Sequence, residues 1–214
     1  MINTMFETYF PSRIIRVINE SYGNSRSKVE MRSVDASGNP IPWFTYPAIE
    51  YLSQFNLKKS SVFEWGCGAS TEYFALKSKS VFSVENDRNW FEQVNAKNLP
   101  NVHLVYAKGT SYIQAIKKPR RKFDIIVIDG LFRDKCVDIA PKFLSLGGLI
   151  ILDNAERHPR ECKFLRSKGF TEIDFMGFGP IADITWVTSL FFKGKMNIKP
   201  LGIQPVIPIG GENL

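Results

Sequence analysis

A turn built on two glycines, placed between a short apolar strand and a helix, constrains the fold of this chain more than any other feature. Residues 62–65 have the apolar character of a buried strand, and residues 71–76 that of the first turns of a helix. Gly66 and Gly68 lie between them and allow the backbone to turn tightly and to approach a ligand closely. The third glycine of a G-x-G-x-x-G pyrophosphate turn is replaced by Thr71.

Two acids accompany this turn at the ends of neighbouring strands. Glu64 stands two residues before the first glycine, where a carboxylate would repel a pyrophosphate but would suit a cationic ligand. Glu85 follows the apolar strand 81–84, and an acid at that place can accept hydrogen bonds from both hydroxyls of a ribose. The alternative is a local role, in which Glu85 and Asp87 cap the helix predicted at 90–96.

Together, in the order strand, loop, helix and strand, these features resemble motif I and the second-strand acid of class I S-adenosylmethionine (SAM)-dependent methyltransferases. SAM carries an amino group and a sulfonium, which agrees with an acid beside the glycine turn. The resemblance implies that Lys108 and Gly109, after the third strand, contact the adenine. The cofactor residues that it implies are Glu64, Gly66, Cys67, Gly68, Ser70, Thr71, Glu85, Asn86, Lys108, Gly109 and Asp129.

From residue 61 onward, apolar strand patterns alternate with helical ones. The predicted strands are 62–65, 81–84, 102–106, 123–128 and 149–152, with helices at 71–77, 89–96, 111–116 and 134–144 between them. This alternation predicts βαβ units and a parallel sheet with helices on both faces. A helix at 161–167 and strands at 170–175 and 186–192 follow. The resemblance then implies an α/β fold, a Rossmann-like doubly wound seven-strand sheet, mostly parallel, with an antiparallel last strand and residues 62–65 central.

The chain is predicted to have three parts. Residues 1–60 form an N-terminal cap of helical and aromatic segments, in which 1–23 is helical, 24–39 is loop-like and a helix runs from Tyr46 to about Phe55. Residues 61–195 form the SAM-binding domain. Residues 196–214 form an extended tail, packed on the surface or used in association, so a homo-oligomer remains open.

Composition indicates an ordinary soluble chain of 214 residues, without a transmembrane run or a signal peptide, which predicts a cytoplasmic protein with no membrane partner. Its three cysteines are widely spaced and are expected to be free thiols. The net charge of +7 permits an anionic acceptor without requiring one. The basic run 117–122 has no interleaved aromatic residues for base stacking, which favours a solvated loop over a nucleic-acid surface.

The candidate catalytic residues follow the fourth and fifth strands. Asp129 and the pair Asp153 and Asn154 resemble the magnesium triad of the catechol O-methyltransferase-like group, which implies Mg²⁺ as a second cofactor. One departure is Phe132, which stands where that group has a lysine base. Arg133 is a poor base but could hold an acidic substrate or pair with Asp129 or Glu156. We therefore favour a metal-free site in which Asp129 and Arg133 are catalytic, and keep the metal site as the alternative.

The leading hypothesis is a SAM-dependent methyltransferase that acts on a small-molecule acceptor, with O-methylation favoured. An RNA or DNA methyltransferase is the first alternative, but residues 129–132 lack the Asp/Asn-Pro-Pro-Tyr/Phe motif of amino-methylating enzymes. A SAM-fold binding protein without transfer activity is the second, because the lysine is missing. His158 is a further candidate base, and Trp43, Phe44 and Tyr46 are candidate lid residues or core residues under the sheet.

Overall fold

The computed structural model describes residues 13–211, and its centre is a mixed sheet of seven strands in the order β3-β2-β1-β4-β5-β7-β6. The strands are β1 (Ser61–Trp65), β2 (Ser80–Glu85), β3 (Val102–Tyr106), β4 (Phe123–Ile128), β5 (Leu144–Asp153), β6 (Thr171–Gly177) and β7 (Trp186–Phe192). The pairs among β1 to β5 are parallel, and β7 runs antiparallel to both of its neighbours. The predicted doubly wound sheet with an antiparallel last strand is therefore confirmed, and β1 lies inside it.

Seven α-helices lie wholly within the described residues 13–211, and most follow the predicted ranges closely. They are α1 (Asn24–Glu30), α2 (Tyr46–Ser53), α3 (Ala69–Lys77), α4 (Arg88–Asn95), α5 (Gly109–Ile113), α6 (Arg133–Phe143) and α7 (Pro159–Ser167). Single turns occur at Val17–Ser21, Gln114–Lys117 and Ala155–Arg157, and two short strands, Phe55–Asn56 and Lys199–Pro200, pair with each other. No helix within residues 13–211 is long and apolar enough to cross a membrane.

The strands are apolar on both faces because each face of the sheet is covered. In β1, Val62 packs into a cluster with side chains of α2 and α3, whereas Phe63 and Trp65 pack into a second cluster with α6 and α7. Alternate residues of a strand point to opposite faces, so a continuous apolar run is what a doubly covered strand requires. Glu64 is the exception, because it is a fully buried carboxylate in this run.

The N-terminal part differs from the expectation at one place. Residues 24–39 were expected to be loop-like, which is wrong for Asn24–Glu30, since these residues form α1. The helix lacks an apolar stripe and is held by polar contacts: the Asn24 amide donates to the Gly179 carbonyl (3.0 Å), and the Ser27 hydroxyl donates to the Val34 carbonyl (2.7 Å). The helix predicted within 1–23 lies partly outside the described residues, where 13–16 and Val17–Ser21 are helical.

The sheet has its switch point between β1 and β4, and this positions the site. From β1 the chain proceeds to β2 on one side, whereas β4 pairs with β1 on the other. The loops that leave the carboxyl ends of these two strands meet there, which is where open α/β sheets bind ligands. A Cβ built on Gly66 would lie 3.1 Å from the backbone of Asp129, so the two loops are in direct contact.

Candidate active site

A large cleft, of about 920 Å³, opens at the carboxyl ends of β1, β2, β4 and β5. Its floor contains Gly66, Glu85, Asp129 and Asp153, each from a different strand end. The walls come from residues 30–33 after α1, from Trp43, and from the loop between β6 and β7. This volume lies near the upper end of the roughly 300–1,000 Å³ typical of small-molecule sites, so the cleft has room for a cofactor and a small acceptor.

The two loops at the floor are packed too closely for side chains on two glycines. Gly66 has φ +100, which favours glycine, and it contacts the loop after β4. A Cβ on Gly130 would lie 2.0 Å from the Tyr112 hydroxyl, which is buried behind that loop. The tight packing fixes Asp129 beside the glycine turn.

Gly68 has the opposite environment. Its φ is 169°, an extended value that any residue can adopt, and a Cβ built there would meet no atom within 4 Å. Gly68 lines the cleft and precedes α3, while its N–H donates to the Thr71 hydroxyl (3.1 Å). The first N–H groups of a helix have no intrahelical acceptor, so those of Ala69 and Ser70 can bind the carboxylate of a ligand.

Glu85 joins the glycine turn to the end of β2. One of its carboxylate oxygens accepts from the N–H of Cys67 (2.7 Å), and the other accepts from those of Asn86 (2.6 Å) and Asp87 (2.7 Å). These three bonds fix the carboxylate at the cleft, where the oxygen that accepts from Cys67 keeps a lone pair for a ligand hydroxyl. Asp87 caps α4 through the N–H of Trp90 (3.0 Å), so the helix-cap alternative is correct for Asp87 and not for Glu85.

Glu64 lies below the glycine turn and does not line the cleft. Its side chain is fully buried, and neither carboxylate oxygen has a hydrogen-bond partner of good geometry among the described residues. Burial raises the pKa of Glu64 to about 7, although the nearby hydroxyls of Thr71, Ser70 and Ser83 oppose this rise. Direct contact between Glu64 and a cofactor therefore stays a prediction.

The raised pKa of Glu64 predicts a pH dependence of stability. The folded protein holds the proton of Glu64 more tightly than the unfolded chain does. The stabilising contribution of protonated Glu64 to the free energy of unfolding is therefore full below about pH 4.5 and is lost as pH rises to about 7. Glutamine does not titrate, so this loss is absent in Glu64→Gln. The free energy of unfolding of the variant minus that of the wild type should therefore rise between about pH 5 and pH 8, by up to about 3 kcal/mol. Urea denaturation at both pH values measures it. Glu92→Gln, at an exposed carboxylate, should show no such rise, and an equally flat result for Glu64→Gln would contradict the prediction.

Arg133 holds together the residues at the ends of β4 and β5. Its Nη2 donates to Asp129 Oδ1 (3.0 Å), its Nη1 to Asn154 Oδ1 (3.2 Å) and to the Asp153 carbonyl, and its Nε to the Gly130 carbonyl (3.0 Å). Burial and the nearby Glu64 and Glu85 raise the pKa of the Asp129 carboxyl, while Arg133 opposes the rise. The predicted pairing of Arg133 with Asp129 is thus present.

The three residues of the predicted magnesium site are close together but do not form an oxygen cage. The guanidinium of Arg133 lies among them and binds all three. Asp153 directs its Oδ1 away to the Thr188 hydroxyl (2.6 Å) and the Trp186 Nε1 (3.0 Å). Within residues 13–211 no group of three or more His, Cys, Asp or Glu side chains could hold a metal ion. This geometry does not fit Mg²⁺, because the guanidinium of Arg133 already binds the side-chain oxygens of Asp129 and Asn154 that would be metal ligands.

The remaining predicted residues divide between the cleft and its surroundings. Cys67, Ser70 and Asn86 line the cleft, whereas Thr71 is buried beneath it as the partner of Gly68. Burial and Glu85 raise the pKa of the Cys67 thiol, so a thiolate role is disfavoured. Lys108 and Gly109 are exposed at the start of α5 and do not line the cleft, so their contact with adenine stays a prediction.

Several lining residues were missed by sequence reasoning. Trp90, which is 43% exposed, lines the cleft, and Arg32 and Arg157 also reach it. Trp43, considered above as a lid or core residue, is 41% exposed and also lines the cleft. Trp90 is the third residue of α4, the helix that follows the end of β2, and this position could have indicated it. The others come from segments distant in sequence from the strand ends, where no local pattern indicates a site. Neither His103 nor His158 lines the cleft.

By sequence, the chain matches no protein-family model and no curated protein. By structure, it is similar to a Staphylococcus aureus protein provisionally described as a caffeoyl-CoA O-methyltransferase, with a TM-score of 0.56 and 16% identity over 79% of this chain and 90% of that one. It is also similar to precorrin-6y C5,15-methyltransferase from Geobacter metallireducens, with a TM-score of 0.54 and 16% identity over 69% and 87% of the two chains.

A third similar structure, from Streptococcus mutans, is provisionally described as a methyltransferase and was solved with S-adenosylhomocysteine (SAH). Its TM-score is 0.50, with 14% identity over 67% of this chain and 94% of that one. Identities this low establish the fold and nothing finer. The chain has the fold of class I SAM-dependent methyltransferases, which confirms the resemblance at that level.

Proposed function

We propose that this chain is a SAM-dependent methyltransferase that methylates a small molecule, at oxygen, without a metal ion. The observation that carries the proposal is the open space over Gly68, next to the carboxylate of Glu85 and beside Asp129. A backbone that a ligand can approach, a fixed acid at the end of the second strand and a cleft at the switch point together suit an adenosyl ligand. SAH in a structure of the same fold supports this choice.

The residues that would hold SAM follow from their positions. Glu85 would accept hydrogen bonds from the ribose hydroxyls, and the N–H groups of Ala69 and Ser70 would bind the carboxylate of the amino-acid part. Trp90 offers an exposed ring on the same side of the cleft, against which the adenine could stack. The acids Glu85 and Asp129 line this region, which favours a ligand with a sulfonium and an ammonium group.

SAM, when bound, supplies an electrophilic methyl group. Asp129 is proposed as the group that accepts the proton of the acceptor hydroxyl, because its pKa is raised towards neutrality and its side chain keeps 26% of its surface in the cleft. Arg133 fixes Asp129 through Nη2 and retains one N–H on that nitrogen, which can donate to the acceptor oxygen as negative charge develops there. Because Asp129 can take the hydroxyl proton and Arg133 can donate to the oxygen, the pair favours an acceptor that presents a hydroxyl.

A nucleic-acid acceptor is the weaker candidate. The basic run 117–122 precedes β4 and so lies at the amino end of that strand, opposite the end that carries Asp129. Arg121 from this run lies over the rings of Phe82 (4.8 Å) and Phe123 (5.2 Å), which gives it a packing role. The positive charge of the chain is therefore not concentrated at the cleft.

A crystal structure with SAH tests the proposed placement. We expect the ribose hydroxyls within hydrogen-bond distance of Glu85, the carboxylate at the first turn of α3 and the sulfur facing Asp129. SAH bound elsewhere, or with its ribose away from Glu85, would contradict the placement.

A further inference from the structure

We propose that the methyl acceptor has an apolar, uncharged body and presents a single hydroxyl to Asp129. This inference rests on the proposed function, because it names the class of acceptor for the same site. The surface that would recognise the apolar body is a set of four side chains, called the apolar rim below: Met31, Trp43, Leu131 and Ile184.

The apolar rim consists of large hydrophobic side chains that are exposed and yet converge on one cleft. Met31 is 76% exposed, Trp43 41%, Leu131 54% and Ile184 57%, and all four line the cleft. They come from four separate segments: the turn after α1, the chain before α2, the loop after β4 and the loop before β7. Exposed apolar surface that gathers around a pocket marks a place where an apolar ligand is buried.

The charges of the cleft argue against an acceptor with an anionic body. Four basic side chains line it, and each already has an acidic partner within ion-pair distance: Arg32 pairs with Glu72 (2.6 Å), Arg133 with Asp129 (3.0 Å), Arg157 with Glu156 (3.2 Å) and Lys97 with Glu72 (4.0 Å). Arg32 and Lys97 share Glu72, so these four cations face three acids, and an anionic body would compete with the acids for them. Each of the four basic side chains is thus already engaged in an ion pair.

Backbone strain is concentrated around the same surface. Met31 (φ 48), Asn154 (φ 50) and Ile181 (φ 67) are in the left-handed region and line the cleft, and Phe132 (φ 54) follows Leu131 of the rim. This conformation is uncommon for residues other than glycine and is an outlier for a β-branched residue such as Ile181. Such strain persists where the surrounding structure imposes a functional shape. Met31 ends α1, where a left-handed residue is a common cap, so Ile181 is the outlier that indicates a segment shaped for a ligand.

The rim is also held in place by buried hydrogen bonds. The N–H of Thr45, two residues after Trp43, donates to the Thr188 hydroxyl (3.0 Å), which donates to Asp153 (2.6 Å). The loop that carries Ile184 is attached to α1 through Asn24 and through an ion pair of Lys28 with Asp183. The apolar surface is thus preformed, which reduces the entropy lost when a ligand binds.

Two probes that differ only by a carboxylate test the inference: 2-naphthol and 6-hydroxy-2-naphthoate. Their binding to the full-length, SAH-saturated protein is measured by equilibrium dialysis. We expect 2-naphthol to bind at least about tenfold more tightly than the naphthoate, because the rim offers no partner for a buried carboxylate. Ile184→Asp should weaken 2-naphthol binding by about tenfold or more for the same reason. Ile207→Asp is the matched control, since Ile207 is equally exposed (59%) in the tail and should leave binding unchanged.

Each outcome decides the inference. It is overturned by absence of 2-naphthol binding, by equal or tighter binding of the naphthoate, or by equal effects of Ile184→Asp and Ile207→Asp. Met31→Asn serves as a second variant, because asparagine tolerates the left-handed backbone at position 31. This variant should also weaken the binding of 2-naphthol. If SAH itself fails to bind, the proposed function is wrong, and the same titrations on the SAH-free protein still decide whether the rim selects an apolar ligand.

Discussion

Replacement of Gly68 by valine is expected to abolish SAM binding while the protein stays folded. The extended backbone of Gly68 accepts any side chain, and a Cβ there meets no protein atom within 4 Å, so folding should be little affected. The same open space is where the cofactor must approach the glycine turn. Valine would fill it, and we expect the affinity for SAM and SAH to fall at least about a hundredfold, equivalent to about 2.7 kcal/mol. Calorimetric titration and thermal unfolding measure the two effects.

The matched control is Gly202→Val. Gly202 also has open space around its Cβ position and no left-handed φ, but it lies in the tail, away from the cleft. It should keep the wild-type affinity. A Gly68→Val variant that binds SAM normally would show that the ligand does not lie against this turn. Glu85→Ala is a poorer test, because it would also leave the N–H groups of Cys67, Asn86 and Asp87 without their acceptor.

Asp129→Asn is expected to remove methyl transfer while SAM still binds. The amide keeps an oxygen for Arg133 but cannot accept the acceptor's proton at neutral pH, so the rate should fall by about 10²- to 10⁴-fold. The measurement is transfer of a labelled methyl group from SAM to the small molecules of a protein-free cell extract, in which the acceptor need not be identified beforehand. Asp134→Asn, on the same helix as Arg133 but exposed, should retain activity.

The same assay separates the metal-free site from the magnesium alternative. Because Arg133 binds the oxygens of Asp129 and Asn154, we expect EDTA to leave transfer unchanged. Loss of activity in EDTA with recovery in Mg²⁺ would establish the metal version and contradict the role given to Arg133. Full activity in both Asp129→Asn and EDTA would remove Asp129 from the mechanism altogether.

The sheet could be predicted from sequence because its strands carry their own signal. β3, β4 and β7 begin and end at the predicted residues, since apolar residues dominate each of these short segments. The residues at the strand ends followed directly, because the carboxyl ends of parallel strands share one edge of the sheet. Glu85, Asp129 and Asp153 therefore line one cleft, as the sequence indicated.

The walls of the cleft could not be predicted in the same way. α1 is held by the contacts of Asn24 and Ser27 with distant residues, and no apolar periodicity reveals it. The direction of the Asp153 carboxylate depends on Thr188 and Trp186, more than 30 residues away, so sequence could place the residue but not its partners. The same holds for Glu64, which the pattern puts near the ligand and the structure puts beneath the turn.

The central claim is tested most directly by titration of the wild-type protein with SAM, SAH and NAD in the calorimeter. The account predicts saturable binding of SAM and SAH at one site per chain and no heat with NAD, because the carboxyl groups of Glu85 and Asp129 at the floor of the cleft are unfavourable for a pyrophosphate. Binding of NAD, or the absence of binding by both SAM and SAH, would contradict it.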